Sequence, residues 1–143
     1  MKKELFGRNK KRKKLKNISR SRVYISCDSR DLNKAAFFKH QRKTSKLDFV
    51  DYSIKKPVLF FWRRKADYLV GKSDHFIVLL GKNTRAKKGV AKEIALARKH
   101  RKKIIGVPIS KKYSVPSQFR DAGGKIVKWN CSKIQSIISR KNN

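Results

Sequence analysis

Glu93 is one of only two glutamates in this chain, and it stands in Val90-Ala91-Lys92-Glu93-Ile94, directly after a polar loop. The other, Glu4, lies in a basic stretch at the N-terminus. A glutamate on a helix surface usually answers a charge three or four residues further on. Here those positions are Leu96 and Ala97, so no such partner exists. Near a helix start it could complement the dipole. Its other use is chemical: a carboxylate can stabilise positive charge developing at a sugar carbon, or hold the sugar's hydroxyls. Further polar groups follow the apolar runs expected to form the first three strands. They are Ser26, Cys27, Asp28 and Asp31 after the first, Asp51 and Ser53 after the second, and Asn83 and Thr84 after the third. Each also has a plain structural use, as a helix cap, a strand end or a turn residue.

Other chemistries find no support in the residue pattern. There is no Gly-rich phosphate loop, which argues against a nucleotide-dependent kinase or a dinucleotide dehydrogenase. No nucleophilic serine has an evident histidine partner. Cys27 and Cys131 fit no zinc spacing and read as free thiols in a reducing compartment. His40, His75 and His100 are scattered singly, and no metal site is expected. What remains is a carboxylate-lined cleft in a strongly positive protein. It suits a ligand with a phosphate part for the lysines and a sugar part for the carboxylates.

The elements that would bring these residues together alternate along the chain. Val23 to Cys27 is a short β-rich run, and Asp28 or Ser29 can cap a helix starting near Arg30, with Asp31 in its first turn. Leu47 to Tyr52 alternates like a strand. Pro57 suits the start of a helix running through Phe61, Trp62, Lys65, Tyr68 and Leu69. His75 to Leu80 is continuously apolar, as a strand buried on both faces would be, and Gly81 ends it. Val90, Ile94, Ala97 and Arg101 share one helix face. Lys103 to Ile109 is a further buried strand. A short helix over 117–122, a strand at Lys125–Trp129 and a last amphipathic helix over Ser132–Ser139 complete five β-α units.

Such alternation predicts an α/β fold: a flavodoxin-like three-layer sandwich around a five-stranded parallel sheet of order 2-1-3-4-5. Ligands of such sheets bind at the carboxyl ends of the strands, where the order reverses. That point lies between the first and third strands, beside the loops Cys27–Asp31 and Gly81–Lys88.

At 143 residues the chain has the size of one domain. Residues 1–22 are dense in Lys and Arg and read as a flexible basic arm, with the folded domain over 23–143. The net charge of +32 would attract polyanions, so nucleic acid is an expected partner through this arm. Neither a signal-peptide core nor a membrane-length apolar run is present, and a cytoplasmic protein with no membrane partner is expected. Phe60-Phe61-Trp62 beside Arg63-Arg64 resembles a platform for stacked bases, although an aromatic stripe on a helix is more often core.

The strand–loop–helix sequence Ser73-Asp74-His75-Phe76-Ile77-Val78-Leu79-Leu80-Gly81-Lys82-Asn83-Thr84, then Val90-Ala91-Lys92-Glu93-Ile94, Ala97 and Lys103-Ile104-Ile105-Gly106-Val107, resembles the TIR-like domain of the Thoeris ThsB type, a bacterial antiphage family. Val23 to Asp28 and Asp48 to Ser53 resemble that family's first two strands. The resemblance covers roughly residues 22–110. It implies a TIR-like enzyme that takes NAD as substrate, needs no cofactor, and makes an ADP-ribose-derived, in some members cyclic, signal for an effector protein. The family's essential glutamate falls on Glu93, which makes Glu93 the expected catalytic residue. Ser26, Cys27, Asp28, Asp31, Asp51, Ser53, Asn83 and Thr84 are expected to line the substrate site. Self-association is expected too, because TIR enzymes commonly work as assemblies. The chain departs from the family at Gly89, where Trp is frequent, and at Cys27, where an aromatic is common. Two other readings share the fold: a non-enzymatic basic module that scaffolds nucleic acid or proteins, and a nucleoside deoxyribosyltransferase-like enzyme.

Overall fold

A strand whose six residues are all apolar or inward-facing has no solvent side and must lie mid-sheet. His75–Leu80 is that strand, β3, with every residue buried. The computed structural model describes residues 20–44, 47–53 and 62–139. Around β3 run the other elements in chain order: β1 (Arg22–Ser26), α1 (Leu32–Thr44), β2 (Val50–Asp51), α2 (Trp62–Lys72), α3 (Lys88–Lys99), β4 (Ile104–Pro108), α4 (Ser117–Asp121), β5 (Lys125–Ile126) and α5 (Cys131–Ser139). Short 3-10 turns at Ser29–Asp31 and Thr84–Ala86 follow β1 and β3. The sheet is five-stranded and parallel throughout, in the order β2-β1-β3-β4-β5. The expected fold class and strand order are those observed.

Alternation along each strand sends side chains to two separate cores. Val23, Ile25, Ile77, Leu79, Ile105 and Val107 meet Phe38 of α1 and Ile134 and Ile138 of α5 on one face. Tyr24, Phe76, Val78, Leu80 and Ile104 meet Ala66 and Val70 of α2, Val90, Ile94 and Ala97 of α3, and Phe119 of α4 on the other. Each large side chain so buried stabilises the fold by about 1.5–3 kcal/mol before entropy is counted. Gly106 of β4 shows how tightly α4 docks, since a Cβ there would lie 2.7 Å from Phe119 Cζ and 2.8 Å from Leu80 Cδ1.

Several element ends differ from expectation. The second strand, expected over Leu47–Tyr52, is reduced to Val50–Asp51, because an edge strand pairs on one side only and matches β1 at just Arg22↔Val50 and Val23↔Asp51. Leu47 and Phe49 are nevertheless fully buried. The fifth strand is also two residues long, and Trp129 lies beyond it, edge-on to Phe37 and Phe38 of α1. The fourth strand, expected over Lys103–Ile109, runs over Ile104–Pro108, with Pro108 paired with Leu80. Arg22 opens β1, and just before it Ser21 donates to the Ile138 carbonyl while Arg20 pairs with Asp48 at 2.6 Å. The remainder of the expected arm, and the helix start at Pro57 with Phe60 and Phe61, lie outside the described residues. Trp62 packs partly buried against the core beneath α2 and α3.

Candidate active site

The crossover from β3 through α3 to β4 lays α3 across the face of the sheet that carries Tyr24 and Ser26. Val90, Ile94 and Ala97 form its buried stripe, and Glu93 stands at the margin of that stripe, turned toward β1. Tyr24 Oη donates to Glu93 Oε2, and Ser26 Oγ donates to Oε1 at 3.2 Å. Two residues of one strand, separated by the strand repeat, thus each hold one oxygen of the carboxylate. Tyr24 is fully buried and stacks on Phe76 with ring centroids 5.4 Å apart.

Burial sets the electrostatics of this group. Desolvation pushes the Glu93 carboxyl up to about 7, although the Tyr24 and Ser26 hydrogen bonds pull it down. The Tyr24 phenol is driven far above its usual range, first by burial and then by the adjacent Glu93 charge, so it stays protonated and remains a donor. Burial also pushes the Cys27 thiol up to about 11, with the Lys39 charge opposing and those of Glu93, Asp31 and Asp28 adding. Cys27 is therefore a neutral thiol at pH 7 and no nucleophile. Cys27 itself packs against the core on the α1 and α5 face of the sheet, whereas Glu93 reaches β1 from the α3 face.

Among the described residues, the loops on either side of the β1/β3 junction are built from the other expected site residues. Asp28 is buried and caps the turn after β1, its Oδ1 accepting from Arg30 N at 3.2 Å. Arg30 Nε lies 3.3 Å from Asp28 Oδ2, and Lys87 Nζ, from the loop before α3, lies 3.7 Å from Oδ1. Asp31 is pressed against Gly81 so closely that a Cβ there would fall 2.1 Å from Asp31 Oδ2. Thr84 is buried, and its Oγ1 accepts from Gly81 N at 2.8 Å, which closes the loop after β3. Asn83 precedes it, exposed, with no side-chain cap bond. On the far side of β1, Ser53 Oγ accepts from Ile25 N at 2.9 Å, and Asp51 accepts from Ser53 N at 2.9 Å while pairing with Lys39 at 3.3 Å. Ser26 is thus the one expected polar partner that touches Glu93. Asp28, Asp31 and Thr84 belong to the loops after β1 and β3, Asp51 and Ser53 lie across β1 beside Lys39 of α1, and Asn83 stands exposed on its loop.

Tyr24 was not among the residues expected at the site. Its only sequence signal is its place two residues before Ser26, on the same side of the strand.

A parallel sheet of order 2-1-3-4-5 with a partly buried, doubly hydrogen-bonded glutamate near the switch point defines a flavodoxin-like α/β domain with a candidate site centred on a carboxylate. The model of the Thoeris protein ThsB TIR-like domain matches residues 24–114, and the chain belongs to that family. Among solved structures the chain is similar to the CMP N-glycosidase BcmB of Clostridium botulinum, with a TM-score of 0.52 and 15% identity over 81% of this chain and 97% of that one. This likeness is one of fold. No curated protein matches the sequence. No helix among the described residues is long and apolar enough to cross a membrane.

Proposed function

We propose that this TIR-like domain cleaves the bond between nicotinamide and ribose in NAD, with Glu93 as the catalytic carboxylate, and releases an ADP-ribose-derived signal for a partner effector in antiphage defence. The observation that carries this reading is the placement of Glu93: partly buried, at the carboxyl end of β1, each oxygen oriented by its own hydroxyl donor. When the glycosidic bond breaks, its electron pair leaves with the nicotinamide nitrogen, and that group departs neutral without a proton. Positive charge is left on the ribosyl carbon and ring oxygen. A fixed carboxylate opposite them stabilises this charge more in the transition state than in the ground state. Water, or a nucleophilic atom of the adenine nucleotide itself, then captures the cation, and Glu93 accepts the proton released by water. A value near 7 suits both duties, since the group is substantially ionised at neutral pH yet basic enough to take a proton. Arg30 and Lys87, which flank Asp28 in the loops after β1 and before α3, are the cations we assign to the diphosphate.

Incubation with NAD and mass spectrometry of the products tests this. Wild type should release nicotinamide together with an ADP-ribose-derived product, and Glu93→Gln should not. Full turnover by Glu93→Gln would overturn the mechanism. A parallel panel of nucleosides and nucleotides distinguishes NAD cleavage from base release or deoxyribosyl transfer at the same carboxylate.

A further inference from the structure

The outer faces of α2 and α3 carry a second constellation, remote from the Glu93 mouth. Arg64, Tyr68 and Lys72 recur at four-residue spacing, so they form one ridge along α2. Tyr68 is 64% exposed, and its ring has Lys72 Nζ at 5.9 Å from its centroid. Across from this ridge, α3 ends in Arg98-Lys99-His100-Arg101-Lys102-Lys103, six consecutive basic or imidazole side chains. The chain turns sharply within that run, since Arg101 adopts a left-handed backbone with φ of 56°. The turn is tied to α2 by Asp67, whose Oδ1 meets His100 Nε2 at 2.5 Å and whose Oδ2 meets Lys99 Nζ at 2.9 Å. Gly71 makes the approach feasible, because a Cβ there would lie 2.9 Å from His100 Cε1. Between ridge and turn lies an open groove of about 480 Å³, lined by Arg64, Asp67, Tyr68, Gly71, Lys72 and His100.

Topology separates this groove from the candidate active site. α3 runs antiparallel to the strands, from the carboxyl end of β3 to the amino end of β4. Glu93 faces inward to β1, whereas His100 and the basic turn lie at the opposite edge of the sheet.

From this geometry we infer that the α2–α3 groove binds single-stranded nucleic acid. An exposed tyrosine flanked on its own ridge by Arg64 and Lys72 presents a ring for base stacking with cations placed for the adjoining phosphates. The basic turn continues the positive path. Charge complementarity selects a polyanion, and the exposed ring selects one that carries bases. A duplex keeps its bases stacked internally and offers nothing for the ring to stack upon.

The test is fluorescence-anisotropy titration of the full-length protein, stripped of bound nucleic acid, with labelled oligo(dT) and oligo(U) at several salt concentrations. Unlabelled inorganic polyphosphate serves as a base-free polyanion. Tyr68→Ala should weaken oligonucleotide binding about tenfold and leave polyphosphate binding unchanged. Tyr68→Phe, which keeps the ring, should bind as wild type. Arg64→Ala/Lys72→Ala should flatten the slope of log affinity against log salt by about 1.4, at roughly 0.7 per phosphate contact. The charge-matched control Lys82→Ala/Lys88→Ala, at the other edge of the sheet, should leave that slope unaltered. Wild-type oligonucleotide affinity in Tyr68→Ala would overturn the inference. So would equal slope losses in the groove and control doubles, which would mean binding by diffuse charge alone.

Discussion

Tyr24 and Glu93 lie 69 residues apart in the chain and share a partly buried hydrogen bond from phenol to carboxylate. The bond joins β1 to α3 across the point where strand order reverses. It leaves Glu93 with two opposed influences: burial, which raises its proton affinity, and two hydroxyl donors, which lower it. Burial prevails, so the carboxyl sits near neutrality.

That balance has a consequence for stability. In the unfolded chain the carboxyl titrates near its ordinary 4.5, and in the folded protein near 7. The protonated form therefore favours the native state: its contribution is complete below about pH 4.5 and is lost as pH rises through 7. Glu93→Gln, which cannot ionise, should be more stable than wild type above pH 7, by about 3 kcal/mol. The difference should shrink toward zero as pH falls to 4.5. Urea unfolding across this range measures it, and a gain independent of pH would contradict the assignment.

Tyr24→Phe removes a donor that lowers the Glu93 value, so Glu93 should titrate above 7 in that variant, and Ser26→Ala should move it in the same direction. Carbon-13 NMR of the Glu93 side-chain carboxyl follows this without any substrate. If NAD cleavage requires the carboxylate, the acidic limb of its pH–rate profile should move to higher pH in the same variants. Loss of the Tyr24 bond should also cost about 1 kcal/mol of stability. A variant that loses activity with an unshifted limb would leave Tyr24 a packing role only.

Gly81→Ala tests the coupling between the two loops at the mouth. The new Cβ would overlap the Asp31 carboxylate, so the Asp31 side chain must move and the turn that carries it is perturbed. We expect destabilisation of about 1–3 kcal/mol, in line with overpacked sites. NAD turnover should fall as well, while the Glu93 titration stays near 7, because Tyr24 and Ser26 belong to the strand and not to the perturbed turn. Unfolding and carboxyl NMR on the same sample separate these effects.

Much of this was legible in the residues themselves. Continuous apolar runs at His75–Leu80 and Ile104–Val107 read as central parallel strands, and with the helical stretches between them they favour the flavodoxin-like order. Glu93 stood out because neither Leu96 nor Ala97 could pair with it. The contact with Tyr24 was not legible, because it depends on how α3 lies over β1, a tertiary angle with no local signature. The short edge strands were over-read for a related reason: Leu47 and Phe49 alternate and are buried like strand residues, yet hydrogen bonding at a sheet edge stops after two residues. The roles of Thr84 and Ser53 as staples for Gly81 N and Ile25 N likewise depend on loop geometry.

Gly89 stands where the family resemblance leads us to expect Trp, four residues before Glu93. It lies in the first turn of α3, is exposed, and keeps a helical backbone; a Cβ there would meet nothing within 4 Å. Neither strain nor close packing requires a glycine. Gly89→Ala should therefore stabilise the protein by about 0.5–1 kcal/mol, through the smaller entropy of the unfolded chain. Gly89→Trp should fold equally well, since the site is open, and should add an aromatic wall four residues before Glu93. If that wall helps hold the nicotinamide–ribose portion of NAD, Gly89→Trp should lower KM while Gly89→Ala leaves it unchanged. Steady-state kinetics of the two variants decide this, because helix stabilisation alone would change both alike.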